Sequence, residues 1–198
     1  GKCSRCLAAC PTGALVSPYL LDARKCISYW TIESRDCIPR ELRPQFGNRI
    51  FGCDVCQTVC PWNQRLKESA LVVTSLQARA EQSTLPLLEG FSSGNPYLLE
   101  EEAFAARFAK TPLLRAGRSG MLRNVCVALG NWGSIEALAV LVAALEDRHP
   151  VVRAMAAWAI GEVARKNRGL RQAFDLLTAR LVDETDTHVL EEIQQSLK

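Results

Sequence analysis

Past residue 95 the apolar positions recur every three to four residues. They form the stripes Leu99, Phe104, Phe108; Ile135, Leu138, Leu141, Leu145; Val152, Met155, Ala159, Ile160, Val163; and Leu170, Phe174, Leu177, Leu181. That spacing puts one buried face on each of several successive helices. Asn95-Pro96 predicts the first start, with Asn as cap and Pro at the first helical position, and Thr111-Pro112 predicts its end. Gly117, Gly133 and Gly169 punctuate the later helical segments. Before residue 66 no such stripe exists. There Thr12-Gly13-Ala14-Leu15-Val16 reads as a turn into a short strand, and Tyr19-Leu20-Leu21-Asp22 as its return. The pattern therefore divides the chain into a module over 1–66, a linker over 67–94 and an all-helical domain over 95–198.

The helical part is also self-similar. Leu122-Arg123-Asn124-Val125-Cys126-Val127-Ala128-Leu129-Gly130 returns loosely as Val152-Arg153-Ala154-Met155-Ala156-Ala157-Trp158-Ala159-Ile160-Gly161. Asp147-Arg148-His149-Pro150-Val151-Val152-Arg153 resembles the turn of a HEAT repeat, and Asp183 to Leu190 resembles it again with Thr187 in place of Pro. Paired helices of this kind bury their stripes only against a neighbouring pair. The competing arrangement is a generic helical bundle.

Composition narrows the class. Of 198 residues 48% are hydrophobic and 23% charged, too apolar and too balanced for a disordered chain. No apolar run approaches the ~18 residues of a membrane span. The anomaly is cysteine, nine residues with eight of them before position 61. An odd, crowded set fits a secreted disulfide framework badly and asks for a metal.

The cysteine spacing supplies the chemistry. Cys3-x2-Cys6-x3-Cys10-Pro11 is the tail of the ferredoxin run C-x2-C-x2-C-x3-C-P, and its absent first Cys would precede Gly1, so the chain reads as a fragment cut one residue inside a motif. Cys53-x2-Cys56-x3-Cys60-Pro61 repeats the pattern, but Ile50 stands where its first Cys belongs, and Cys26 is the natural substitute. A cubane [4Fe–4S] cluster needs four thiolates on four irons, and in two-cluster ferredoxins the fourth Cys of each run ligates the other cluster. Cluster one would then take the absent Cys with Cys3, Cys6 and Cys60; cluster two would take Cys10, Cys26, Cys53 and Cys56. Zinc also suits C-x2-C, but does not need the C-x3-C-P tails. Cys126, in an apolar stretch, reads as core, and Cys37 lies in a polar loop. The predicted fold is thus α+β: an N-terminal ferredoxin-like two-cluster module followed by an all-α HEAT-like repeat domain. So small a module is expected to couple its folding to metal binding.

The net charge of +3 decides little, but its distribution is uneven. No acid falls between Glu102 and Glu136, while Arg107, Lys110, Arg115, Arg118 and Arg123 all do. A basic loop with Gly117 and Gly120 could clamp a phosphate backbone, with Arg115, Arg118 and Arg123 as its expected contacts. The alternatives are a solvated positive face and, for Arg123, a brace within the repeats.

These motifs together resemble the epoxyqueuosine reductases. The resemblance runs through Cys3 to Ala14, Leu21 to Tyr29, Thr31 to Glu33, Gly47 to Asp54, Cys56 to Asn63, Leu122-Arg123-Asn124 and Ala128 to Gly133. It implies an oxidoreductase of queuosine biosynthesis that reduces epoxyqueuosine at the wobble position of a tRNA anticodon. It further implies two [4Fe–4S] clusters, cobalamin held mainly by a half absent from this chain, an anticodon stem-loop partner, an external electron donor and a cytoplasmic monomer without membrane contact. Ser28 and Asp54, beside Cys26 and Cys53, are expected to border the corrin; Asp54 has a rival reading as a turn residue. The competing function is an iron–sulfur electron-transfer subunit that docks a protein partner through its repeats.

Overall fold

The structure, a computed structural model, describes residues 2–67, 100–167 and 170–198. The expected linker beyond Lys67, the Asn95-Pro96 start, Leu99 and Gly169 lie outside these residues. The N-terminal part begins with helix α1 (Arg5–Ala9), then strands β1 (Leu15–Ser17) and β2 (Leu20–Leu21). Gly13, at φ +61, makes the turn into the hairpin, and Leu15 pairs antiparallel with Leu21. A 3-10 turn (Ala23–Lys25) and a π-turn (Tyr29–Glu33) come next, then α2 (Arg43–Phe46), α3 (Val55–Thr58) and α4 (Pro61–Lys67). The hairpin matches the sequence expectation. Among the described residues it is the whole of the sheet, so the part is mostly short helices and turns.

The C-terminal part is helical throughout: α5 (Glu101–Arg107), α6 (Gly117–Trp132), α7 (Leu138–Leu145), α8 (Pro150–Lys166), α9 (Arg171–Asp183) and α10 (Thr187–Ser196). Helix α8 is its centre, packed against α6, α7, α9 and α10. Val152, Met155, Ala159, Ile160 and Val163 are all buried, as their stripe predicts. Leu141 and Leu145 are buried on α7, but Ile135 is exposed, because the 3-10 turn Ile135–Ala137 starts that segment out of phase with the helix. Phe104 and Phe108 form a separate small cluster with Ala116 and Met121, their rings 4.8 Å apart. Among the described residues no helix is long and apolar enough to cross a membrane.

The internal repetition has a packing cause. Gly130 of α6 and Gly161 of α8 occupy equivalent places in the repeated segments. A Cβ on Gly130 would lie 2.7 Å from Trp158 Cζ3 and 2.9 Å from Ala159 Cα; one on Gly161 would lie 2.9 Å from Ser196 Cβ. Each glycine is where its helix meets the next, α6 against α8 and α8 against α10. The repeat turns are tied electrostatically. Asp147 accepts from the His149 amide at 2.8 Å, Pro150 opens α8, and Asp186 caps α10 through the amides of His188 and Val189. Arg153 donates to the Asp147 carbonyl of its own turn and grips Glu184 of the next with two 2.8 Å bonds.

Candidate metal centre

The two cysteine runs adopt one shape. In each, the first Cys (Cys3, Cys53) precedes a single helical turn that carries the second (Cys6 on α1, Cys56 on α3), and the third follows it, Cys10 as the C-cap of α1 and Cys60 just past the C-cap Val59 of α3. Proline then diverts the chain, Pro11 toward the hairpin and Pro61 into α4. Helices α1 and α3 pack on each other, which brings the two runs face to face. All nine cysteines are free thiols; Cys3 is exposed, and Cys6, Cys10, Cys26, Cys53, Cys56 and Cys60 are half-buried. Among the described residues no three His, Cys, Asp or Glu side chains close on one point as the ligands of a single ion do. A cubane places its thiolates on separate irons and does not require that convergence.

Local bonding prepares the sulfurs. Burial alone would raise the Cys10 thiol pKa, but backbone amides and the Thr12 hydroxyl outweigh it and hold the thiol below its ordinary value. The Ala14 amide donates to Cys10 Sγ at 3.3 Å. Burial pushes the Cys56 thiol up, and the neighbouring thiols of Cys53 and Cys26 push in the same direction, so these three sit within one another's field. Cys26 ends the 3-10 turn capped by Asp22 and lies in the loop that leads into the π-turn. Ser28 Oγ donates to the Cys53 carbonyl at 3.4 Å, joining the two loops. Asp54 is exposed at the N-cap position of α3, and its carboxylate bonds no backbone amide there. The leftover thiols separate as expected for Cys126, which is buried, its pKa raised by that burial. Cys37 lies in a loop, as the sequence places it, but packs against the core, and burial raises its pKa too.

The basic tract is divided by burial. Arg115 is exposed and pairs with Glu33, while the exposed Arg35 donates to its carbonyl. Arg118 is 4% exposed and holds Asp147 with both Nη atoms, at 2.5 and 3.3 Å. Arg123 is fully buried. It donates to the carbonyls of Ser34 and Asp36 at 2.9 Å, to that of Trp30, and to Asn124 Oδ1 at 3.0 Å. Neither Arg118 nor Arg123 presents a free face to a phosphate, which corrects the expectation for both: a run of cations in sequence says nothing of which side of a helix each occupies. The brace foreseen for Arg123 exists, but its partners are carbonyls of the cysteine-bearing part and not an acid of the next repeat.

Helix α6 holds that part at further points the sequence did not single out. Asn124 Nδ2 donates at 2.8 Å to the carbonyls of Thr31 and Ile50, and Asn131 Nδ2 donates at 2.7 and 2.9 Å to those of Arg43 and Gly47. The available signal was a set of polar residues inside otherwise apolar helical turns, where an unpaired amide would be costly. From α10, Glu192 binds Arg40 and Arg43, and the Arg43 guanidinium lies 5.3 Å from the Trp158 ring centroid.

Comparison with known proteins agrees with this layout. Residues 1–63 match the 4Fe-4S double cluster binding domain, and residues 112–198 match HEAT repeats. Epoxyqueuosine reductase of Pseudomonas aeruginosa is 46% identical over 161 residues, covering 81% of this chain and 42% of the relative. That of Escherichia coli is 39% identical over 177 residues, with 84% and 42% covered. The chain belongs to the epoxyqueuosine reductase family. An epoxyqueuosine reductase solved with a tRNA-Tyr epoxyqueuosine-modified stem loop superimposes with a TM-score of 0.79 at 34% identity, covering 100% of this chain and 49% of that one. The chain thus spans less than half the length of these epoxyqueuosine reductases.

Proposed function

We propose that this chain is the electron-relay and RNA-holding part of an epoxyqueuosine reductase, which converts epoxyqueuosine to queuosine in the wobble position of a tRNA anticodon. The observation that carries the reading is the pair of like-folded cysteine runs whose helices α1 and α3 pack together, with Cys26 and Cys53 both near enough to Cys56 to raise its pKa. Cys3, Cys6 and Cys60 would serve one [4Fe–4S] cluster and Cys10, Cys26, Cys53 and Cys56 the other. Free, half-buried thiols with amides aimed at Cys10 fit such ligation. Removing the epoxide oxygen as water takes two electrons and two protons, and cubanes pass electrons one at a time. This chain's residues hold the thiolates and orient the loops between an external one-electron donor and the substrate side.

Cobalamin belongs to the same reading. Ser28, tied to Cys53, and the exposed Asp54 would border the corrin where the second ligand set reaches the surface. Arg115, with Arg35 beside it, would contact the phosphates of the anticodon stem-loop, and the protein would act as a cytoplasmic monomer. Favouring this over an electron-transfer subunit with a protein partner is the relative solved with a modified tRNA stem loop. Anaerobic iron and sulfide analysis of the full-length protein tests it. About eight irons and a brown colour bleached by dithionite support the reading; a colourless protein holding zinc overturns it.

A further inference from the structure

Residues Cys26 and Cys53 come from different loops, and something must fix the distance between them. Thr31, fully buried in the π-turn, lies between the two. Its hydroxyl donates to the Ile27 carbonyl at 2.8 Å and accepts from the Gly52 amide at 2.9 Å. It therefore joins the residue after Cys26 to the residue before Cys53. The Thr31 carbonyl accepts from Asn124 Nδ2 at 2.8 Å, and the second proton of that amide goes to the Ile50 carbonyl, also at 2.8 Å. Asn124 is 1% exposed, and its Oδ1 accepts from Arg123 Nε at 3.0 Å. This satisfies both ends of the side chain and fixes which way the amide points, since the reversed amide would face two carbonyls with its oxygen.

We propose that Thr31 and Asn124 are positioning residues for the second cluster, forming a clasp that sets the separation of Cys26 from Cys53. The clasp explains how a lone Cys26 can stand in for the thiol that position 50 lacks: the Ile50 backbone is pinned through one amide to the turn that follows Cys26. The inference rests on the reading that Cys26 and Cys53 are cluster ligands. Hydrogen bonds and geometry around the thiolates set the potential and retention of such a cluster, so a loosened clasp acts on one cluster and not on both.

The test uses reconstituted full-length protein carrying Thr31→Val, Thr31→Ser or Asn124→Asp. Valine keeps the volume and removes the hydroxyl; serine keeps the hydroxyl. The expected result for T31V is a changed midpoint potential and electron-spin-resonance signal for one cluster, with the other unaltered. Loss of that cluster's iron to a chelator should quicken on the order of 10-fold, as for other outer-shell ligand partners. T31S should behave as wild type, and N124D should reproduce T31V. T31V and N124D proteins with wild-type potentials, spectra and chelation rates overturn the clasp. If T31V and T31S fail alike, or both clusters change together, Thr31 acts only in packing and the proposal is wrong. Iron content of Cys26→Ala separates the two levels: full retention of iron overturns the ligand reading itself, whatever Thr31 does.

Discussion

Replacing Arg123 by Met and Arg115 by Ala separates a brace from an RNA contact. Met keeps much of the Arg123 stem and removes its guanidinium. Three backbone carbonyls, those of Trp30, Ser34 and Asp36, then lose their donor, along with Asn124 Oδ1. Each buried acceptor left unpaired costs about 1–3 kcal/mol, and water entering the gap recovers part of the sum. Four such penalties, reduced by that water, leave a net loss of about 3–5 kcal/mol. At roughly 2–4 °C per kcal/mol for a chain of this size, the melting temperature should fall by about 6–20 °C. Burial lowers the Arg123 pKa to about 10, so the charge is present at neutral pH in the folded chain. Arg115 is different. Its pair with Glu33 is 65% and 45% exposed, which limits it to about 1 kcal/mol. Arg115→Ala should melt almost as wild type but bind anticodon stem-loop RNA less tightly, with a salt slope shallower by about 0.7–0.9 for one lost phosphate contact. Differential scanning calorimetry and a binding series in salt read both effects. An Arg123→Met protein of unchanged melting temperature and weakened RNA binding would reverse the assignment.

Cys26→Ala should halve the iron of the full-length protein, from about eight atoms to about four, as counted by iron analysis. Gly130→Ala should destabilise by about 1–3 kcal/mol in chemical denaturation, because its Cβ meets Ala159 Cα at 2.9 Å. In the same helix Gly120→Ala, with 3.7 Å to its nearest neighbour, should stabilise by about 0.5–1 kcal/mol. Glu184 is held down to a pKa of about 2, first by its bond from Arg153, against an ordinary 4.5. Its contribution to stability is therefore complete above about pH 4.5 and is lost as pH falls toward about 2, and Glu184→Gln should flatten that part of the pH–stability curve measured by circular dichroism.

What the sequence disclosed was governed by local rules. The hairpin at Gly13 and the stripes of α7 to α9 depend on neighbours within a few residues, and these took the expected form, Ile135 excepted. Contacts decided by tertiary placement were not legible. Arg118 read as surface charge because the tract around it lacks acids, and the brace foreseen for Arg123 was expected within the repeats, yet their partners, Asp147 and the carbonyls of Trp30, Ser34 and Asp36, are contributed by distant turns. The same holds for the Thr31–Asn124 bond: nothing in a π-turn announces which helix will cover it.

Helix α6 gives its polar side chains to the backbone of the cysteine-bearing part while giving its glycine and apolar face to α8. A cut between residues 67 and 117 would therefore not release two self-sufficient pieces. The carbonyls of Trp30, Thr31, Ser34, Asp36, Arg43, Gly47 and Ile50 would all lose their donors at once. Anyone transplanting the cysteine module into another protein as a wiring component would have to carry α6 along as its roof, or rebuild a helix that presents Arg, Asn and Asn at the same three places.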